Sequence, residues 1–478
     1  MDYVSIETAT PLTSEILPIT PPEATLTLTT KPSLRIPKDV IRTSLKASTI
    51  DSVFATVYSL GTSGILLSNF LIELDANPVV FGMLSSIPML VNLIQPLGAY
   101  LSERTTSRFQ YSMWIFGTAR FLWLILFIGV ILFNWGSFSS QQLKILTLSI
   151  LLLTNLLGGL GSPSWLSWLA MIVPRRLRGR YFGLRNSAAS LTNLICVPLA
   201  GLLVSHWYGG TIQGFGIVLL ISILFGFLSL GCQYFKVDVN PQLQNAISYA
   251  GRNAIAQPPQ TTKVSHIAEP TTTSEITPPQ NESPSIWKNS NFLMFLFYFG
   301  CWMLAVNISS PFFNLYMLDT LNLDVSWVTL YGSLQAGANL LMLILWGKLA
   351  DKIGNQRILI IIGILVALTP LLWLGIGADT WGVWIWFPLL HLLLGGLWAA
   401  VDLCNNNIQL SIAPIKNQSI YFAIASAVAG ASGALGTTIG SIIAQFPQYG
   451  GLFAVFILST GLRLVALVPL FFVQEPGK

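Results

Sequence analysis

Twelve apolar runs, many of about 20 residues or longer, recur along this chain. As an α-helix rising about 1.5 Å per residue, a run of that length crosses a hydrocarbon core about 30 Å thick. The first six lie at about 50–73, 79–102, 111–134, 145–172, 181–206 and 212–236. The second six lie at about 291–317, 326–350, 356–377, 381–412, 418–444 and 450–473. Only 9% of the residues are charged and 53% are hydrophobic, whereas a soluble domain carries roughly 25% charged residues. A strand-built barrel would need short alternating segments, and the sequence has none. The pattern predicts an all-α membrane protein with twelve transmembrane helices.

The polar remainder divides the chain. Residues 1–47 are rich in Thr, Pro and Ser and read as a disordered tail, without the three-part pattern of a signal peptide. Residues 237–289 read as a flexible polar linker. Between them lie two six-helix bundles, expected at 48–236 and 290–478. Lys and Arg concentrate on one side: Lys31, Arg35, Lys38, Arg42 and Lys46 in the tail, Arg104 and Arg108 after the second run, and Arg175, Arg176, Arg178 and Arg180 after the fourth. Lys144 stands alone on the other side. The positive-inside rule then makes both termini and the linker cytoplasmic and predicts a multi-pass protein of the plasma (inner) membrane. The net charge of +5 is thus accounted for by topology, and a nucleic-acid surface is not expected.

Several chemistries find no support. Cys196, Cys232, Cys301 and Cys404 all fall inside apolar runs, with no CxxC or Cys/His spacing for metal or redox work. No phosphate-binding GxxxxGK[ST] loop is present, and no Ser/His/Asp set supports catalysis. The expectation is a protein that is not an enzyme and needs no cofactor or metal.

Between the eighth and ninth runs stands GKLADKIGNQR, Gly347 to Arg357, and a weaker copy, AYLSERTTSRF, follows the second run. Leu101 aligns with Leu349, Glu103 with Asp351 and Arg104 with Lys352. A second pair is clearer. PRRLRGRYFGLRNS follows the fourth run and PIKNQSIYFAIASA the tenth, aligning Pro174 with Pro414, Tyr181 with Tyr421 and Phe182 with Phe422. The two halves therefore read as a duplicated six-helix unit in parallel orientation.

With these residues in view, the chain resembles the major facilitator superfamily (MFS) of secondary transporters over about residues 48–474. GKLADKIG is similar to that family's G-x-L-A-D-[RK]-x-G signature, and PRRLRG to the P-x-x-x-R-G stretch common after its fourth helix, notably in sugar porters. The resemblance implies two pseudo-symmetric six-helix bundles that rock about a central cavity lined by helices 1, 4, 7 and 10. On its own physics the signature reads as a gating latch. Gly347 and Gly354 permit close helix ends, while Asp351 with Lys352, and Glu103 with Arg104 and Arg178 in the first half, offer charges to pair at one face. The alternative is simple anchoring at the headgroups.

Intramembrane polar residues supply the site candidates. In HLLLGGLWAAVDLCNNNIQ, the residues His391, Trp398, Asp402, Asn406 and Gln409 form one helical stripe. Asp402 reads as a proton carrier or as half of an ion pair with Arg463, and His391 as a proton relay or a bonded interior residue. Ser162, Trp165 and Trp168 share a face that suits a ring-bearing solute or plain aromatic packing. Asn307, Ser310 and Asn314, beside Pro311, suit a cavity wall or helix–helix glue. Arg185 with Asn186 could meet an anionic group or reach the headgroups. Arg120 has no acid at its depth in its own half, and Gly430, Gly433, Gly436 and Gly440 suit close helix contact. The expected activity is alternating-access transport of a small organic solute, sugar or glycoside favoured, with the proton as coupling ion and the chain acting as a monomer in the lipid bilayer. A drug or metabolite exporter and a non-transporting sensor or assembly factor are the alternatives.

Overall fold

The structure, a computed structural model, describes residues 37–173, 178–238, 289–374, 377–413 and 418–475. Among these, twelve helices are long and apolar enough to cross a membrane. We number them α1 (Lys38–Glu73), α2 (Pro78–Ser102), α3 (Arg108–Asn134), α4 (Ser140–Leu169), α5 (Leu184–Ser205) and α6 (Thr211–Gln233). The second half contains α7 (Ser290–Thr320), α8 (Val325–Ala350), α9 (Asn355–Trp373), α10 (Gly382–Ile412), α11 (Ile420–Ala444) and α12 (Gly451–Phe472). An even number of crossings places both ends of the chain on one face, here termed the tail face. Helix is the only open-ended solution in hydrocarbon, because each N–H and C=O must find a partner within its own segment.

α1 starts at Lys38, well before the apolar run that predicts it. The added turns are polar in sequence, but Ser44, Ala47 and Ser48 are buried. The Val237 amide donates to Ser44 Oγ at 3.1 Å, so the extension is held by the chain leaving α6 and not by its own hydropathy.

The two halves repeat this clamp. Where Val237 meets Ser44, the Gln474 amide donates to Asn291 Oδ1 at 2.8 Å. One residue further on, a carboxylate sits at the start of each half's third helix. Asp238 accepts from the Phe109 amide at 3.0 Å and from Ser107 Oγ, and Glu475 accepts from the Gln356 amide at 3.2 Å and from Asn355 Nδ2 at 2.6 Å. Carboxylates are favoured there by the unpaired amides and positive dipole end of the helix. The duplication is thus visible in bonds that the sequence alignment does not reveal.

Between the halves, α2 packs on α11 and α5 on α8. Small residues set the approach. A side chain at Gly430 would meet the Met89 carbonyl at 2.7 Å, and one at Gly82 would meet Ser441. Among the described residues, three hydrogen bonds cross this seam: Ser86 Oγ to the Ala434 carbonyl at 3.4 Å, Thr437 Oγ1 to Met89 Sδ at 4.0 Å, and Ser205 Oγ to Asp324. All lie on the side away from the tail face. Toward the tail face, α5 and α8 part around a cleft of about 790 Å³ whose walls run from Gly332 to Leu343 and from Leu194 back to Asn186. The seam is closed at the far face and open at the tail face.

Asp324 fastens the closed end. It caps α8 by accepting from the Ser326 amide at 2.8 Å and from Ser326 Oγ. Burial raises its carboxyl, but the bonds from Ser205 and Ser326 outweigh burial and hold it below the usual carboxylate range. A carboxyl with a depressed value contributes its bonding energy fully above the free value, near 4, and loses it as pH falls through the bonded value. Asp324→Asn should therefore raise the rate at which a single cysteine placed at Ser86 is alkylated from the far face. Equal alkylation rates with and without the Asp324→Asn change would remove Asp324 from the closure.

Candidate functional site

Two inner helices are broken at corresponding depths. In α1 the helix stops at Thr62 and restarts at Gly64, with Ser63 extended (φ −160°) and Gly64 at φ 71°. In α7 the helix stops at Ser309 and restarts at Phe312 beyond Pro311, which has no amide to donate. Each break lies roughly ten residues from the far end of its span. Interrupted helices in matching positions of two halves mark the place where irregular backbone lines a cavity instead of lipid. Ser63, Gly64 and Pro311 indeed line one cavity of about 690 Å³ in the first half. A second, of about 440 Å³, lies in the other half, and Asn314 lines both of these and the α5/α8 cleft.

Each half also buries a guanidinium where its first, third and sixth helices meet. On α12, Arg463 is 1% exposed and fully engaged. Its Nη1 donates to the Val366 carbonyl (2.9 Å) and Thr369 Oγ1, Nη2 to Ser309 Oγ (2.9 Å) and the Val306 carbonyl, and Nε to Ser459 Oγ at 3.1 Å. On α3, Arg120 donates Nε to the Gly226 carbonyl at 3.3 Å and Nη1 to the Phe116 carbonyl at 3.0 Å, and lies over the Tyr58 ring at 4.8 Å. It lines the first-half cavity.

The polar stripe of α10 is divided by the fold. His391, Trp398 and Asp402 line the second-half cavity. Asp402 has no ion-pair or hydrogen-bond partner among the described residues, so the expected alternative of a pair with Arg463 is not formed. Arg463 is held by neutral oxygens instead. His391 is buried, with Nδ1 2.8 Å from the Phe387 carbonyl and its ring beside Tyr331 and Trp373. Asn406 is exposed one turn nearer the tail face, and Gln409 is buried with Nε2 unbonded. On α7, Ser310 and Asn314 line the cavities, whereas Asn307 turns to the Met303 carbonyl (2.7 Å) and α11.

Trp165 and Trp168 sit elsewhere, at the tail-face end of α4. Trp168 is buried and donates to the Val237 carbonyl at 2.7 Å. Lys236 lies over both indoles, Arg185 lies 4.6 Å over Trp165, and Asp51 pairs with Lys236 Nζ at 2.9 Å while accepting from Ser229 at 2.6 Å. Burial lowers the Lys236 ammonium from its usual value and the Asp51 carboxylate opposes the drop. The pair ties α1 to the segment that leaves α6, and the sequence did not single it out because Lys236 is the last residue of the sixth apolar run, where a base reads as a boundary charge. Of the latch residues, Gly354 ends α8 at φ 101°, Lys352 is exposed, and Arg104 bonds Tyr100. Nothing lies within 4 Å of a side chain built at Gly347, because the halves are apart at this face. The side chains of Glu103, Arg178 and Asp351 lie outside the described residues.

Removing one member of a buried ion pair leaves the other uncompensated and costs about 3–5 kcal/mol. Asp51→Ala should therefore lower the unfolding midpoint in detergent sharply. The double variant Asp51→Leu, Lys236→Met should recover most of the loss, which identical midpoints for single and double variants would contradict. Gly64→Ala should cost about 1–2 kcal/mol, the strain of a left-handed position in a residue with a Cβ; the same midpoint shift checks it.

Comparison with known proteins places this geometry. The sequence profile of the Major Facilitator Superfamily matches residues 52–414. A multi-drug resistance efflux pump PmrA homolog from Lactococcus lactis subsp. lactis is 30% identical over 196 residues, a stretch that is 40% of this chain and 45% of that protein. Among solved structures, a D-xylose-proton symporter is similar at a TM-score of 0.65 and 15% identity, covering 92% of this chain and 99% of that one. The nucleoside transporter NupG gives 0.61 at 11% identity, covering 90% and 98%. A bacterial homologue of the iron transporter ferroportin in an inward-facing state gives 0.64 at 13% identity, covering 91% and 98%. Twelve membrane-capable helices in two related bundles around a shared cavity thus agree with the profile match: the chain belongs to the major facilitator superfamily and is a membrane transporter, not an enzyme.

Proposed function

We propose that the chain is a secondary active transporter of a small polar organic solute, coupled to protons and working by alternating access. The observation that carries this reading is a seam sealed at the far face and parted at the tail face, around cavities flanked by the broken helices α1 and α7. The Lys and Arg bias supports a cytoplasmic tail face, and on that reading this conformation is open inward and the membrane is the plasma (inner) membrane. Solute and proton would enter or leave through the α5/α8 cleft. The linker at 237–289 joins two bundles that move as units, and one chain holds the whole path, so the working form is a monomer.

Asp402 is the coupling group in this reading. A carboxyl in a cavity with no cationic partner can hold a proton in one state and release it in the other. His391, enclosed by rings, forms the wall above it. The latch residues Gly347, Asp351, Lys352 and Gly354, with Glu103, Arg104 and Arg178, lie at the ends that come together when the tail face closes. Sugars and glycosides fit the amide- and hydroxyl-bearing walls, which include Asn92, Gln95, Asn155 and Asn314. The indoles of Trp165 and Trp168, being packed around Lys236, are not part of that wall. Export is the second reading, favoured by the name of the 30% identical relative.

In proteoliposomes, the parent chain should accumulate labelled solute when a pH gradient is imposed. Asp402→Asn should lower the initial rate of gradient-driven uptake by about tenfold or more, a barrier change of about 1.4 kcal/mol or more, yet keep solute exchange across the membrane at equal pH. An undiminished rate in the variant would remove Asp402 from coupling. The sign of the gradient that drives flux distinguishes uptake from export, and saturable binding with no flux would point to a sensor.

A further inference from the structure

We infer that the first-half cavity is an anion subsite, and that the solute carries a carboxylate, phosphate or comparable acidic group bound by Arg120. This deepens the transport reading by naming the substrate class of the same cavity. Arg120 is 8% exposed, midway along α3, and its guanidinium is fixed by two backbone carbonyls and the Tyr58 ring. Those bonds occupy Nε and Nη1, while Nη2 meets no acceptor among the described residues. No carboxylate lies within ion-pair distance of it there, and no Asp or Glu lines the cavity.

The contrast with Arg463 decides the reading. Arg463 has a full set of neutral acceptors and is 1% exposed, which is what a guanidinium needs to stay buried without a ligand. Arg463 also borders a cavity, of about 440 Å³, but with every nitrogen bonded, whereas Arg120 lines about 690 Å³ of space with Nη2 unfilled among the described residues. A guanidinium edge in low dielectric is matched best by an oxyanion, which takes parallel charge-assisted bonds from it. Asn92 and Asn155 on neighbouring walls provide amides for the rest of the solute, and Trp123 an apolar surface. Asp402, in the other half's cavity, keeps its charge away from this end.

The test measures equilibrium binding to the purified full chain, by thermal shift and Trp fluorescence, without any gradient. Probes are matched pairs: gluconate against glucose, benzoate against benzamide, and methyl phosphate. Nanodiscs of phosphatidylglycerol against phosphatidylcholine separate a free anion from a lipid headgroup. At least one anion should bind about tenfold or more tightly than its neutral partner, and weaken about tenfold or more in Arg120→Gln with partial recovery in Arg120→Lys. Stabilisation by phosphatidylglycerol alone, lost in Arg120→Gln, would assign the same anion chemistry to a headgroup. Equal binding of acid and neutral partner, binding unchanged in Arg120→Gln, or no binding of any anion at millimolar concentration would overturn the inference. Should Arg120→Gln fail to fold, the comparison of matched probes on the parent chain decides alone. Because no proton gradient is applied, loss of coupling at Asp402 would leave this result untouched.

Discussion

The backbone of a chain in hydrocarbon has to satisfy its own hydrogen bonds, and the rest of this structure follows from that. Twelve spans are helical, and the ladder is relaxed where water replaces lipid. Thr62 to Gly64 and Ser309 to Pro311 interrupt α1 and α7 at matching depths, both against the central space. A break facing lipid would strand amides and carbonyls at a cost of several kcal/mol each. The positions of the breaks are therefore a map of where the bilayer ends and the aqueous path begins.

The same low dielectric sorts the charges by their bonding. Arg463 and the Asp51–Lys236 pair are saturated: five acceptors surround the first, and carboxylate, ammonium, Ser229, Gln233 and two indole faces make up the second. These groups hold helices together. Arg120 and Asp402 are left with unfilled capacity beside cavities in opposite halves. Keeping a buried charge such as Arg120 short of partners is unfavourable for stability, whereas Asp402 is exposed to its cavity.

Movement between two states needs a seam that closes firmly yet adheres weakly. Here glycines from both halves make the contact: Gly82 and Gly201 of the first half meet Ser441 and Thr329 of the second, and Gly430 of the second half meets Met89 of the first, with three hydrogen bonds across the seam among the described residues. Lipid offers such surfaces no hydrophobic drive to associate, so close packing of small side chains carries the interface. Asp324 adds one polar fastening at its end. The clamps at Asp238 and Glu475 do the opposite, locking the third helix of each bundle to the segment that leaves the sixth, so each half can turn as a unit.

The sequence by itself determined the twelve crossings, the duplication and the family, because run length, charge bias and the GKLADKIG signature are local properties that need no coordinates. It also brought Asp402, Ser310 and Asn314 forward, since a polar residue in an apolar run is conspicuous. It did not separate Trp398, which lines a cavity, from Trp165 and Trp168, which pack around Lys236: helical spacing gives a face but not what that face meets. Nor did it reveal the extension of α1, whose partners lie almost two hundred residues away at Val237. Above all, Arg120 and Arg463 look alike in sequence, each one base in an apolar helix. Only the tertiary structure decided that one is saturated and the other is not, because satisfaction depends on which carbonyls and hydroxyls the neighbouring helices bring within 3 Å or so.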